Sequence, residues 1–322
     1  MIQIGIIGGA GYTAGELIRL LLHHPEAGIA FVHSNSHAGS RVADVHAGCC
    51  GETALAFTPQ VPTDAIDVLF CCSAHGDTKK FLDAHPLPEH VKVIDLSMDY
   101  RMAAPEHDFV YGLPELNRQA IRRARHVANP GCFATCIQLA LLPLAGQALL
   151  KDDVHVHAIT GSTGAGVKPT ETSHFSWRND NVSIYKPFTH QHLNEIRQSL
   201  TQLQRDFRSA LRFIPVRGCF SRGIFVTAYT KCTLPEDEVQ AIYEAFYADH
   251  PFTFVTPHSP DLKQVVNTNK CLLHLQKSGD LLLITSVIDN LLKGASGQAV
   301  HNMNLMSGLE EQTGLRLKPS AF

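Results

Sequence analysis

The stretch Asn129-Pro130-Gly131-Cys132 runs directly into Phe133-Ala134-Thr135-Cys136-Ile137-Gln138-Leu139-Ala140-Leu141-Leu142, whose apolar residues suit a packed helix. Pro-Gly directs a turn, which puts Cys132 near the first turn of that helix. Unpaired amides and the positive end of the helix dipole favour thiolate over thiol there, lowering the pKa from its usual value of about 8.5. A thiolate in that position is a nucleophile that splits one difficult substitution into two easier ones. Cys136, one turn further on, reads as packing. Such chemistry also needs a group that moves protons. Phe188-Thr189-His190-Gln191-His192-Leu193-Asn194-Glu195-Ile196 offers two imidazoles, whose ordinary pKa near 6.5 lets them give and take a proton near neutrality. At i and i+2 the two rings point differently in an extended or loop segment, so one of them is expected to face the sulfur. Zinc would need ligands this segment does not show, and no metal is expected.

A second chemical signature opens the chain. Residues 2–7 are an apolar run short enough to be a buried parallel strand. They lead into Gly8-Gly9-Ala10-Gly11-Tyr12-Thr13-Ala14-Gly15 and then Glu16-Leu17-Ile18-Arg19-Leu20-Leu21-Leu22, which has helical spacing. Gly8-x-x-Gly11-x-x-Ala14 is a variant of the strand–turn–helix dinucleotide fingerprint. Glycine is needed where the backbone turns and where it approaches a pyrophosphate, a small third residue lets helix and strand pack, and helix amides meet the negative charge. The following strand, residues 29–33, should end at the adenine ribose, where an NAD enzyme usually carries Asp or Glu. Here the chain reads Ser34-Asn35-Ser36-His37-Ala38-Gly39-Ser40-Arg41, with hydroxyls and one arginine but no carboxylate, a composition that favours NADP(H). Ser34, Ser36 and Arg41 are the expected contacts.

Further strands at 67–72, 91–96 and 126–128 alternate with helical patterns, predicting a doubly wound parallel sheet. Ligands in such sheets lie beyond the carboxyl ends of the strands. That rule singles out Ser73-Ala74-His75-Gly76, Ser97-Met98-Asp99-Tyr100-Arg101 and the Cys132 turn. After about residue 145 the texture changes to β-rich alternation at 154–160, 223–230, 271–276 and 281–288, the last two joined by the hairpin signal Lys277-Ser278-Gly279-Asp280. The expected architecture is therefore α/β: a Rossmann-like doubly wound domain from 1–131 with 298–322, and an α+β catalytic and dimerisation domain from 132–297 with a mixed antiparallel sheet. A homodimer or homotetramer is expected.

Bulk properties narrow the function classes. A chain of 322 residues with 44% hydrophobic and 18% charged residues is globular, and its formal charge of −3 with no basic run removes the footprint of a nucleic-acid binder. No uninterrupted apolar segment approaches membrane-spanning length and no signal peptide is recognisable, so a cytoplasmic protein is expected. The nine cysteines include no Cys-x-x-Cys pair and fit a reducing compartment.

The motifs form an ordered series: Gly8 to Leu17; Asp95-Leu96-Ser97 with Tyr100-Arg101; Tyr111-Gly112-Leu113-Pro114-Glu115; Asn129-Pro130-Gly131-Cys132; Gly161-Ser162-Thr163-Gly164-Ala165-Gly166; His190-Gln191-His192 with Glu195-Ile196; Ser221-Arg222-Gly223-Ile224; and Asp289-Asn290-Leu291-Leu292-Lys293-Gly294-Ala295. Over nearly the whole chain this series resembles the N-acetyl-gamma-glutamyl-phosphate reductases of arginine biosynthesis, within the aspartate-semialdehyde dehydrogenase-like group. The resemblance implies NADPH-dependent reduction of a small acyl phosphate to an aldehyde and phosphate, through a thioester on Cys132. It implies His192 as acid–base, His190 as a substrate contact, Arg101 near the phosphate and Asn290 near the nicotinamide. The glycine-loop residues Gly8, Gly11, Tyr12, Thr13 and Ala14, together with Ser73, would hold the dinucleotide. Lys168, Arg178 and Arg222 are further candidates for binding substrate anions, since arginine's planar fork grips carboxylate and phosphate alike. The 161–166 loop could line either the nicotinamide or an oxyanion.

One departure stands out. The catalytic histidine of aspartate-semialdehyde dehydrogenases follows a late Pro-Val-type strand, and many acetylglutamyl-phosphate reductases carry Pro-His at the position of Pro215-Val216. Here Ile214-Pro215-Val216-Arg217-Gly218-Cys219-Phe220-Ser221 has no histidine, which disfavours the dehydrogenase's own activity. The rival readings are an amino-adipyl or carrier-bound acyl-phosphate reductase and a non-catalytic NADPH-sensing module. The N-acyl group, acetyl or succinyl, is left open.

Overall fold

A computed structural model describes residues 1–320 and divides into two compact units, Met1–Pro130 with Ala295–Arg316, and Gly131–Gly294 with the tail from Leu317. The last two positions of the 298–322 segment lie outside the described residues. The tail groups with the second unit, where Lys318 O accepts from Asn267 Nδ2 at 3.3 Å.

The first unit is built on seven strands: β1 (Ile2–Ile7), β2 (Ala27–His33), β3 (Phe57–Thr58), β4 (Val68–Cys71), β5 (Lys92–Asp95), β6 (Val110–Tyr111) and β7 (His126–Ala128). Their order is β3-β2-β1-β4-β5-β7-β6, and every pairing is parallel. The central strands are mostly apolar because a parallel sheet is covered on both faces; Ile4, Ile6, Leu69, Phe70 and Ile94 are fully buried. Chain order reverses between β1 and β4, which makes their carboxyl ends the topological switch point. Helices α1 (Tyr12–Leu21), α2 (Val42–Val45), α3 (Asp77–Ala84) and α4 (Pro114–Arg123) lie between strands, and a later helix, Gly297–Met306, returns to pack on α1, α4 and β5.

The second unit holds α5 (Cys132–Gly146), β8 (Val154–Thr160), α6 (Phe175–Arg178), β9 (Ser183–Ile184), α7 (His192–Leu203), β10 (Leu211–Arg217), β11 (Ile224–Lys231), α8 (Glu236–Tyr247), β12 (Thr253–Val255), β13 (Cys271–Ser278) and β14 (Leu281–Ile288). The sheet order is β12-β13-β14-β11-β8-β10-β9; β8–β10 and β12–β13 are parallel, and the remaining pairings are antiparallel. Mixed pairing and the β13–β14 hairpin follow the alternation seen in the sequence, with Gly279 at φ +60° in the turn. The short strands β3, β6, β9 and β12 are additions that two or three residues cannot announce by period.

Helix α5 explains its own sequence. Every residue from Phe133 to Ala145 is buried, as an all-round apolar helix demands. Pro143 sits inside it and has no N–H for the Leu139 carbonyl. That acceptor takes a hydrogen bond from the Tyr247 hydroxyl at 2.6 Å, and the next carbonyl, of Ala140, takes one from Tyr243 at 2.5 Å. Helix α8 thus satisfies what the proline leaves open, and α5 stays long enough to carry Cys132 at its first position.

Candidate active site

Cys132 is the first residue of α5, half-buried, after Gly131 in an extended N-cap conformation with no side-chain cap and no acidic residue in the first turn. Gly131 is fixed on both sides. Its N–H donates to Glu195 Oε2 at 2.9 Å, and its carbonyl accepts from Thr135 N at 2.8 Å and Thr135 Oγ1 at 3.1 Å. A Cβ placed on Gly131 would stand 2.3 Å from His192 Nε2 and 2.6 Å from Cε1. The imidazole therefore lies directly on the residue that precedes the nucleophile, a position open to glycine alone. A Cβ on Gly294 would meet the Cys132 Cβ at 2.8 Å, so a second glycine lets the wide turn Leu292–Ser296 pass against the cysteine.

Both histidines are buried in this unit. His192 opens α7, and its Nε2 is 3.8 Å from Glu195 Oε1, so one carboxylate addresses the cap of α5 and the imidazole together. His190 Nδ1 accepts from the His192 N–H at 3.2 Å, and the two rings stand 4.5 Å apart beside Phe133. Burial, helped by the Lys186 charge, pushes the His190 pKa down to about 4, so this ring is neutral at neutral pH. The turn into α7 separates the two rings, and His192 is the one laid on the Cys132 cap.

Tyr185 joins the group without a sequence signal. Its ring contacts Phe133 and His190, and its hydroxyl pKa is pushed well up by burial and by the nearby Cys132, with Arg217 opposing. Glu195 and Gly294 were legible only as members of the motif series, with no role attached to either.

The cations expected to bind anions are placed differently. Arg178 is buried, and its guanidinium donates to Thr172 O, Asn181 O, Arg217 O and Ser183 Oγ, so it staples the loop around α6 and does not present a fork to a ligand. Arg222 is paired with the fully buried Asp289 carboxylate at 2.9 Å, which also accepts the Asn267 N–H, so its charge is already matched. Lys168 is exposed on the 161–170 loop. Asn290 accepts from Gly223 N at 2.7 Å and donates to Thr163 Oγ1 at 3.0 Å; both ends of the amide tie loops together. In the first unit, Arg101 is buried and donates to Asn129 O at 2.9 Å and Leu96 O at 3.0 Å, bracing two strand-end loops. Arg101, Arg178, Arg222 and Asn290 thus already hold protein partners, whereas Lys168 is exposed. Which carbonyls and carboxylates stand opposite is a tertiary matter.

The glycine loop lies at the switch point between β1 and β4. Gly8 has φ +72°, and a Cβ there would strike the Cys72 carbonyl carbon at 2.6 Å. Gly11 is the N-cap of α1, with no side-chain cap, and the nearest atom to a Cβ there is 3.8 Å away. Ala14 is a fully buried residue of α1, while Tyr12 is exposed and Thr13 O accepts from Ser296 Oγ at 2.7 Å. Ser73 follows β4 against Gly8. A helix N-terminus with free amides and an open glycine face suits a pyrophosphate. At the end of β2, Ser34 is buried 3.4 Å from Ser36 across their hydroxyls, and Arg41 is exposed and paired with Asp44 at 2.8 Å.

Comparison with known proteins gives consistent matches. Residues 3–124 match the family model described as semialdehyde dehydrogenase, NAD binding domain, and residues 132–290 match semialdehyde dehydrogenase, dimerisation domain. The chain is 70% identical to N-acetyl-gamma-glutamyl-phosphate reductase of Parabacteroides distasonis and 67% identical to that of Bacteroides thetaiotaomicron, each over 322 residues and the full length of both chains. Among solved structures, aspartate semialdehyde dehydrogenase II of Vibrio cholerae, complexed with ASA, superposes with a TM-score of 0.72 at 16% identity, covering 96% of this chain and 98% of that one. The NADP-bound enzyme of Candida albicans gives 0.68 at 12% identity, covering 95% and 98%. At those identities the likeness is one of fold. The first unit is a domain of the nicotinamide-dinucleotide-binding type. Among the described residues no helix is long and apolar enough to cross a membrane.

Proposed function

The chain belongs to the N-acetyl-gamma-glutamyl-phosphate reductase family of oxidoreductases, and from that premise we propose that it reduces an N-acyl-gamma-glutamyl phosphate with NADPH, in arginine biosynthesis, through a thioester on Cys132. The observation that carries the reading is the imidazole of His192 resting on Gly131, beside the cysteine at the head of α5.

The glycine loop and the uncapped start of α1 would hold the pyrophosphate, and Ser34, Ser36 and Arg41 the ribose 2′-phosphate. Bound NADPH supplies the hydride. Cys132 Sγ attacks the acyl carbon, the bond to the phosphate oxygen breaks, and phosphate departs with both bonding electrons, leaving the thioester. Addition of hydride to that carbon puts negative charge on the former carbonyl oxygen, which takes a proton from His192. The thiohemiacetal then gives its hydroxyl proton back to His192, the C–S bond breaks toward sulfur, and aldehyde leaves a free Cys132 thiolate. His190, neutral at pH 7, cannot be the main proton donor, which supports His192 in that role and leaves His190 to contact substrate. Glu195 keeps the imidazole and the Gly131 amide in register.

The open face of the second sheet supports a homodimer. Ile159, Phe225, Tyr229 and Leu283 stand half-buried or exposed on it, in the region matching a dimerisation domain. Nine free thiols suit a reducing compartment, which favours the cytoplasm.

The direct test is phosphate- or arsenate-dependent NADP⁺ reduction with an N-acyl-glutamate 5-semialdehyde. Turnover is expected with the wild-type chain. Full activity in Cys132→Ser would refute covalent catalysis. In a parallel labelling experiment, half-buried Cys132 should take up iodoacetamide faster than the exposed Cys50 and Cys219 near neutral pH.

A further inference from the structure

Of the arginines expected to bind substrate anions in the second unit, Arg178 and Arg222 are both engaged inside the protein. A third arginine of the second unit touches Tyr185 and keeps one donor without a partner. Arg217 ends β10, half-buried, and its Nε–H is shielded from water with no hydrogen-bond acceptor among the described residues. An unmade bond on a guanidinium is costly, and proteins keep such groups where a ligand completes them.

Its surroundings show where that ligand would lie. The guanidinium stacks on the Tyr185 ring, Cζ 4.7 Å from the centroid, and Tyr185 in turn feels the Cys132 sulfur. The Tyr185 ring in turn stands 5.8 Å from that of His190 and 6.4 Å from that of Phe133, the residue after Cys132. Beside it, Arg178 Nη1 grips the Arg217 carbonyl at 2.8 Å, and the two charges repel: burial and the Arg217 charge both lower the Arg178 pKa. Neither arginine has a carboxylate partner among the described residues. Arg217 therefore carries a charge with no internal carboxylate and one donor that no protein group completes.

We propose that Arg217 is a specificity residue that receives a carboxylate of the acyl-glutamyl substrate in the fork of Nε and Nη, with Arg178 holding its backbone. This rests on the proposed reductase activity and goes beyond it by naming the group that reads the substrate. Carboxylate matches the planar fork in a bidentate way and satisfies the idle Nε–H. It also accounts for an arginine in the strand Ile214-Pro215-Val216-Arg217, from which a histidine is missing. The carboxylate has two possible sources, the α-carboxylate present in every acyl-glutamyl substrate and the terminal carboxylate of a dicarboxylic acyl group such as succinyl.

The experiment compares wild-type, Arg217→Leu and Arg217→Lys proteins with N-acetyl- and N-succinyl-glutamate 5-semialdehyde, measuring kcat and KM with NADP⁺ and phosphate. For Arg217→Leu, KM should rise about tenfold to a hundredfold, as loss of a charge-assisted hydrogen bond implies, with kcat within about threefold. A rise with both substrates assigns the α-carboxylate, and a rise with the succinyl substrate alone assigns the acyl carboxylate. Arg217→Lys keeps the charge and loses the fork, so it should fall between. It also carries the test should the leucine variant fail to fold, since an unchanged KM in the lysine variant then overturns the proposal. KM within twofold of wild type for both substrates in a folded Arg217→Leu protein overturns it, as does a loss confined to kcat, which would make Arg217 a support for Tyr185. No turnover of either substrate by the wild-type chain removes the reductase reading and this inference with it. Wild-type turnover with an insensitive KM removes only the inference.

Discussion

Two helices in this protein begin in nearly the same way and serve opposite ends. Helix α1 follows Gly11 at φ −82°, ψ 164°, and α5 follows Gly131 at φ −70°, ψ 152°; neither has a side-chain cap or an acidic first turn. Both therefore expose free amides and the positive end of a dipole. The difference lies in what stands against each glycine. A Cβ added at Gly11 would meet nothing nearer than Gly8 O at 3.8 Å, whereas one added at Gly131 would stand 2.3 Å from the His192 imidazole, and Glu195 holds the Gly131 amide. One terminus meets few neighbours, as the proposed dinucleotide site requires, and the other has its partners built in and carries a cysteine. Local backbone chemistry is thus a shared device, and the neighbour that tertiary packing brings up decides its use.

The strongest way to break this contrast is at the sulfur. Cys132→Ser should lower turnover by about 10³-fold or more, with dinucleotide affinity and melting temperature near wild type. Comparable loss of dinucleotide binding would mean the two termini are not separate in function. Gly131→Ala comes next. Its φ tolerates alanine, but the new Cβ collides with His192, so kcat should fall by about 10²-fold through misplacement of the imidazole. The matching Gly11→Ala should leave the melting temperature unchanged and raise the Kd for NADPH about tenfold, measured by fluorescence titration; the reverse pattern in the two variants would sink the comparison.

Smaller effects sharpen it. Folded His190 takes up a proton only near pH 4, whereas the unfolded chain does so near 6.5. The unfolded state thus binds more protons between these values, and stability should fall as pH drops from about 6.5 to about 4. His190→Asn should flatten that slope in denaturant titrations across the window. The smallest effect is at the end of β2, where Asp44 holds Arg41. Asp44→Asn should tighten NADPH severalfold and leave NADH unchanged, since it removes a negative charge where the 2′-phosphate is expected.

Much of the fold was legible because its signals are local. Residues 2–7, 126–128, 154–160 and 281–288 are strands at the positions where apolar runs or period-2 alternation placed them, and Cys132 does open a helix. The two-residue strands β3, β6 and β9 were not legible, since pairing to a neighbour, not pattern, creates them. The grouping of Cys132 with His190 and His192 was also readable, from motif order, and the second unit does bring these three together. The protein partners of the cations were not. Arg101, Arg178 and Arg222 have the right chemistry for anions and face carbonyls or Asp289, whereas Arg217, which sequence passed over, has an idle donor.

Sequence alone determined the kinds of atoms available: a cysteine behind Pro-Gly, glycines where a helix must start bare, and apolar periods that set two different sheets. Tertiary structure decided which of those atoms meet. A hydrogen bond or ion pair depends on a few ångströms of separation between residues far apart in the chain, such as Gly131 and Glu195 or Arg222 and Asp289. Residue type states what a group can donate or accept, and only packing supplies the partner.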